Sequence, residues 1–269
     1  MSKRVDLFES IYGNFGEQVV EAIRKETFGR DIGQNSWLTA DEYDRFISWL
    51  GLAPGGHVLE VASGSGGPAI YLADKSGCRV TGVDASENGV ATATRAAADA
   101  NRSESVSFML ADANALLPFE DDTFDAVVCI DSMNHLPNRP GVLREWRRVL
   151  RAGGRALFTD PVVITGPVTN DELAVRSSVG LFLFAPPGVN ERLVEEAGLH
   201  LVRQEDVTEK AALISGRWHA ARQSRREALL RIEGEERFEG LQQFFDVVHR
   251  LTTERRLSRV AYLVEKRAD

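Results

Sequence analysis

Short apolar runs that alternate with helical stretches predict an α/β fold with a mostly parallel, seven-stranded sheet. Three observations carry that reading. Runs rich in β-formers recur at 57–62, 79–84, 106–112, 124–131 and 155–160. Helical patterns near 67–76, 86–101 and 140–150 separate them, and 91–100 is rich in alanine. Val127, Val128, Cys129 and Ile130 are apolar without alternation, as a strand covered on both faces should be. Strands alternating with helices imply parallel pairing through right-handed crossovers.

The remaining elements follow in order. Residues 8–27 and 40–50 read as helices, joined by a segment of turn formers from 28 to 37. Residues 161–187 look irregular, with Pro161, Pro167, Pro186 and Pro187. Strands are expected at 199–203 and 257–264. Between them lies a charged helical stretch, 207–252, with Phe238, Leu241, Phe244, Phe245 and Val248 at helical spacing. That stripe reads as core packing and is compatible with a lid over a pocket. In an open α/β sheet ligands bind beyond the carboxyl ends of the strands, so segments inserted there can cap a site.

The 269 residues are 43% hydrophobic and 27% charged, a globular composition for one domain with insertions. The net charge of -8 argues against nucleic acid as a partner. Cys78 and Cys129 read as reduced, buried residues of a cytoplasmic protein. No signal peptide and no membrane-spanning run is expected, and the composition leaves room for a homodimer.

The strongest chemical signal is 60–68, a strand that runs into a glycine turn, with Pro68 suited to the first turn of a helix. Gly64 and Gly66 permit close backbone approach to a ligand. The third glycine of GxGxxG is missing, which counts against a nicotinamide dinucleotide. Glu60, Asp84, Asp112 and Asp131 fall at four strand ends on one rim. A carboxylate at Asp84 can accept both hydroxyls of a ribose, and one at Asp112 can accept an exocyclic adenine amine. Such a rim repels pyrophosphate and suits a cationic nucleoside.

These pieces resemble the class I S-adenosylmethionine (SAM)-dependent methyltransferases. The matching stretches are VLEVASGSGGPA (58–69), VTGVDAS (80–86), FMLADANALLPFEDDTFDAVVCIDSMNHL (108–136) and LREWRRVLRAGGRALFTDP (143–161). The resemblance implies a Rossmann-like sheet whose last strand is antiparallel. It divides the single domain 1–269 into an N-terminal helical lid (1–50), a SAM-binding core (51–160), and a substrate cap with the C-terminal strands (161–269). It implies that Gly64 and Gly66 pass under the methionine part of SAM, with Glu60 and Ala62 in the same loop. Ala62 replaces the family's usual first glycine. Asp84 and Ala85 would hold the ribose, Asp112 and the Ala113 amide the adenine. Ile130 or Asp131 would line the floor under the sulfonium. S-adenosylhomocysteine would be the product, and the acceptor a small molecule.

The run 131–136 and GRDIGQNSWLT (29–39) are similar to segments of small-molecule N-methyltransferases of the phosphoethanolamine and sarcosine type. There a histidine in the position of His135 serves catalysis, and the N-terminal segment folds over SAM. His135 is the candidate base, because an imidazole titrates near ~6.5, against the alternative of a capping or packing role. His57, His200, His219 and His249 have weaker cases. Ser36, Trp37 and Tyr12 are candidates for closing over the cofactor, with packing the better reading for Tyr12. Phe182, Phe184 and Trp218 could line an acceptor pocket, although core packing is favoured. No metal is expected; Asp131 and Asp160 are only loosely placed for one. A non-catalytic SAM-binding domain and C-methylation of a lipid- or quinone-like metabolite are the alternatives. Fold does not decide among nitrogen, oxygen and carbon acceptors.

Overall fold

The computed structural model describes Tyr12 and residues 14–268. The helix expected from residue 8 begins outside them. Within them, residues 14–16 form a turn and α1 spans Gln18–Phe28. After a turn-rich segment comes α2 (Ala40–Leu50), whose N-cap Thr39 accepts from the Glu42 amide at 3.3 Å.

The core alternates as expected: β1 (His57–Val61), α3 (Gly67–Ser76), β2 (Arg79–Asp84), α4 (Glu87–Asp99), β3 (Val106–Leu110), β4 (Phe124–Cys129), α5 (Arg139–Val149) and β5 (Leu150–Ile164). A single 3-10 turn, Met133–His135, follows β4. The rest is α6 (Asn170–Arg176), α7 (Val189–Glu196), β6 (His200–Asp206), α8 (Thr208–Gln223), α9 (Arg226–Glu233), α10 (Glu235–Thr253) and β7 (Leu257–Glu265).

Among the described residues the sheet has seven strands in the order β3-β2-β1-β4-β5-β7-β6. β1 through β5 pair in parallel, and β7 runs antiparallel between β5 and β6. The strand order reverses between β1 and β4, and such a switch point opens a crevice at the carboxyl ends of the strands. One face of the sheet buries Trp146, Val142 and Leu143 of α5 with Val194 of α7. The other buries Tyr43, Phe46 and Trp49 of α2 with Leu72 of α3. A separate aromatic cluster of Phe28, Trp37, Phe244 and Phe245 builds the cap.

Two expectations change around Pro161. β5 does not stop before Pro161 but continues to Ile164. Its register with β7 shifts between Asp160 and Val163, so Pro161 sits in a bulge where no ladder hydrogen bond is needed. The segment after it is not wholly irregular. Thr169 and Glu172 form a capping box that starts α6. Arg256, ahead of β7, then holds Glu172 in a bidentate pair at 2.8 and 2.9 Å.

Candidate active site

The loop after β1 sits in the switch-point crevice. Ala62 takes a left-handed φ of 57°, the conformation a glycine adopts without strain. Gly66, at φ 79°, is the N-cap of α3, and a Cβ there would lie 2.6 Å from Phe108 and 2.7 Å from Ala93. Gly67 packs against the N-terminal segment, where a Cβ would meet the Ile32 carbonyl oxygen at 2.2 Å. The Ser65 hydroxyl donates to the Gly33 carbonyl at 2.8 Å, which fastens the same contact.

Asp84 closes the other side of the loop. Its Oδ2 accepts the Gly64 N–H at 2.8 Å and its Oδ1 the Ser86 N–H at 2.9 Å. Asp112 lies two residues beyond β3 and is exposed, its Oδ1 accepting from the Asn114 amide at 2.9 Å. Asp84, Ala85, Asp112 and Ala113 line one cleft. Glu60, Ser36, Trp37, Gly64, Ile130 and Asp131 line an adjoining cavity. Ala62, Tyr12 and His135 line both, so the two spaces meet there. Gly66 lines neither and shapes the loop from below.

The four rim acids differ in state. Glu60 is 3% exposed and its Oε2 has no hydrogen-bond partner. Burial, assisted by the charge of Asp84, pushes its carboxyl up to about 8. Asp131 is not an open rim acid. Arg259 donates from Nε to its Oδ1 at 2.7 Å, Thr159 donates to the same oxygen at 2.7 Å, and Oδ2 accepts the Trp37 N–H at 2.8 Å. Arg259 also holds Glu42 of α2 at 2.7 Å. This buried network ties the N-terminal segment to β4 and β7. Asp160 is likewise engaged, by Arg139 and Asn190 at 2.9 Å each. Among the described residues no group of three or more metal-ligating side chains is assembled.

His135 lies on the 3-10 turn. Its Nδ1 is 2.6 Å from the Leu181 carbonyl oxygen, which only accepts, so Nδ1 carries the proton and Nε2 is unprotonated. Asn134 Nδ2 donates to that Nε2 at 3.1 Å. Burial pulls the imidazole down to about 4, with the Leu181 hydrogen bond opposing. His57 and His249 are occupied elsewhere. His57 Nε2 pairs with the Thr81 hydroxyl at 2.9 Å, and His249 Nδ1 with the Ala212 carbonyl at 2.8 Å. Tyr71 and Lys75 have the four-residue spacing of an oxidoreductase base pair but both bind Asp44 outside the cavity, at 2.7 and 3.1 Å. Burial raises the Cys129 thiol, and both cysteines are free and buried.

The cap supplies the cavity's roof. Phe182, Trp218, Leu241, Phe244 and Phe245 line it, whereas Phe184 packs with Leu251 and Leu257 elsewhere. Part of the α10 stripe is therefore both core and wall. Sequence reasoning missed Arg176, Asn134, Arg259 and Glu42. Only Arg176 had a readable local signal, the capping box that starts its helix.

Residues 59–158 match the family described as a methyltransferase domain. Methyltransferase GfsG of Streptomyces halstedii is 38% identical over 226 residues, covering 76% of this chain and 78% of that protein. This chain belongs to the class I SAM-dependent methyltransferases. The sarcosine/dimethylglycine N-methyltransferase of Halorhodospira halochloris is 32% identical over 169 residues, spanning 62% of this chain and 59% of that relative. Among solved structures, the cyclopropane synthase MmaA2 from Mycobacterium tuberculosis superposes with a TM-score of 0.82 at 16% identity, covering 96% of this chain and 98% of that one. That likeness is one of fold. Among the described residues the cleft at the ends of β2 and β3 is lined by Asp84 and Asp112 and by no lysine or arginine, which fits the nucleoside of SAM. Within the described residues of this methyltransferase, no helix is long and apolar enough to cross a membrane.

Proposed function

We propose that this methyltransferase moves a methyl group from SAM to a small molecule held under the aromatic cap. The observation that carries the reading is the junction at Ala62 and His135 of an acid-rimmed cleft with an aromatic-walled cavity. In this reading the cleft takes the nucleoside. Asp84 accepts the ribose hydroxyls, with Ala85 beside it, while Asp112 and the Ala113 amide take adenine. The buried carboxylate of Glu60 meets the ammonium of the methionine part, beside the Gly64 backbone. Ile130 and Asp131 floor the reacting centre, and Ser36, Trp37 and Tyr12 close it from the N-terminal side.

SAM supplies the electrophilic methyl on its sulfonium. The chain's own work is to align the acceptor in line with that bond and to exclude water, which is where much of the rate enhancement of such a displacement arises. His135 Nε2, unprotonated and hydrogen-bonded by Asn134, serves as base for the acceptor's proton once that contact is given up. An apolar wall favours an acceptor with an apolar body, lipid- and quinone-like metabolites included. A domain that only binds SAM has no need of the second cavity. The two buried free thiols suit a reducing, cytoplasmic setting.

Calorimetric titration with SAM, S-adenosylhomocysteine and NADH tests the assignment. Binding of the first two and not the third is expected, with a loss of affinity in Asp84→Ala. Absence of SAM and S-adenosylhomocysteine binding removes the reading.

A further inference from the structure

One charged side chain in the cavity packs against rings without a hydrogen-bonded partner among the described residues. Arg176, the last residue of α6, is 2% exposed and lines the cavity beside His135. Its guanidinium makes no ion pair or hydrogen bond among the described residues, and Nη1 is fully enclosed without a partner. Its neighbours are rings: Cζ lies 4.3 Å from the centroid of Phe182 and 5.0 Å from that of Phe244. Phe182 in turn packs edge-on against His135 at 4.6 Å.

The nearby anions cannot neutralise it. Asp131 is paired with Arg259, and Asp160 with Arg139. Burial lowers the guanidinium to about 9, so it remains charged at neutral pH. Isolated buried charges are costly, and a strongly perturbed charged group lining a cleft is a candidate binding group. Asn134 Oδ1, also buried without a partner, faces the same cavity.

We propose that Arg176 binds an anionic oxygen of the methyl acceptor, and that the acceptor is a flat apolar molecule with an ionised acidic hydroxyl or carboxylate. This rests on the methyl-transfer reading above. The rings of Phe182 and Phe244 flank the flat body while the guanidinium meets the oxyanion. A cationic amine is disfavoured next to the same charge. For an acidic hydroxyl, Arg176 stabilises the ionised nucleophile, which relieves a neutral, weakly basic His135 of most of the deprotonation.

The test uses the full chain loaded with S-adenosylhomocysteine. 4-Nitrophenol and 4-nitrobenzoate are titrated against the neutral 4-nitroanisole, and the nitrophenol spectrum reports its ionisation when bound. At least one anion is expected to bind about ten- to hundredfold tighter than the neutral probe, the range of a charge-assisted hydrogen bond. Arg176→Met should abolish that preference and leave S-adenosylhomocysteine affinity intact, while Arg176→Lys retains part of it. A phenolate-only preference assigns the acidic hydroxyl, and a preference shared with carboxylate assigns the wider class. Equal or absent binding of all three probes, or a preference that survives in Arg176→Met, overturns the proposal. Loss of S-adenosylhomocysteine binding by the wild-type chain would instead sink the methyl-transfer reading. Should Arg176→Met fail to fold, Arg176→Lys decides: its preference for the anion must fall below that of the wild type, and an unchanged preference overturns the proposal.

Discussion

Arg259 and Asp131 lie 128 residues apart in the chain and meet at 2.7 Å, fully buried, with the Trp37 amide on the other oxygen of the same carboxylate. The pair joins β7, β4 and the N-terminal segment in one place. Breaking a buried pair from one side strands the other charge, which costs about 3–5 kcal/mol. Arg259→Leu should therefore lower unfolding stability by that amount in urea titration. It should also weaken SAM affinity, because Trp37 loses its anchor. A stability within ~0.5 kcal/mol of wild type would show that the network is dispensable.

Glu60 titrates with cofactor binding. Its carboxyl stands near 8 in the free protein, so at pH 7 it is mostly protonated. An ammonium placed against it favours the carboxylate, and SAM binding should release up to one proton at neutral pH. Calorimetry in buffers of different ionisation enthalpy measures this, and Glu60→Gln should abolish it. The same shift carries a stability sign. A raised acid favours the neutral form on folding, so its contribution is present below the ordinary value of 4.5 and is lost as pH rises through about 8.

His135 should not produce an inflection near its ordinary value. Its imidazole is neutral above about 4, so with saturating SAM the acceptor kcat/KM should be flat in His135 ionisation from pH 5 upward and fall only towards 4. For an acceptor that binds protonated, His135→Ala is expected to lower kcat by roughly 10²–10⁴-fold, with SAM affinity unchanged, and for one that binds as the anion the loss is expected to be smaller. An inflection near 6.5 that disappears in His135→Ala would contradict the buried, neutral assignment.

Ala62 holds a glycine's conformation at φ 57°. Left-handed backbone costs alanine about 1–2 kcal/mol, partly offset by the larger chain entropy that glycine loses on folding. Ala62→Gly should thus raise stability by about 0.5–1 kcal/mol, read as a higher melting midpoint with SAM binding preserved. A lower midpoint would mean that the alanine methyl contributes packing that outweighs the strain.

What the sequence read well was local and periodic. α3 starts and ends at residues 67 and 76 as expected, β2 at 79 and 84, because glycine, proline and the change of apolar period mark those edges. β3 and β4 end two residues earlier than read, at Leu110 and Cys129, so Asp112 and Asp131 stand just past their strands. Pro161 misled because proline usually ends a strand, whereas here a bulge tolerates it. The Thr169–Glu172 capping box was legible and overlooked.

By itself the sequence determined the α/β alternation, the glycine loop and the order of acids at strand ends, since these depend on neighbours along the chain. Only the tertiary structure decided which acids remain open. Asp131 is taken by Arg259, which is joined in turn to Glu42 217 residues away, whereas Glu60 keeps an unpartnered oxygen. It also decided that the Arg176 guanidinium has no hydrogen-bonded counter-charge among the described residues. Whether a buried charge finds its counter-charge depends on side chains brought together from distant strands, and no spacing along one segment records that.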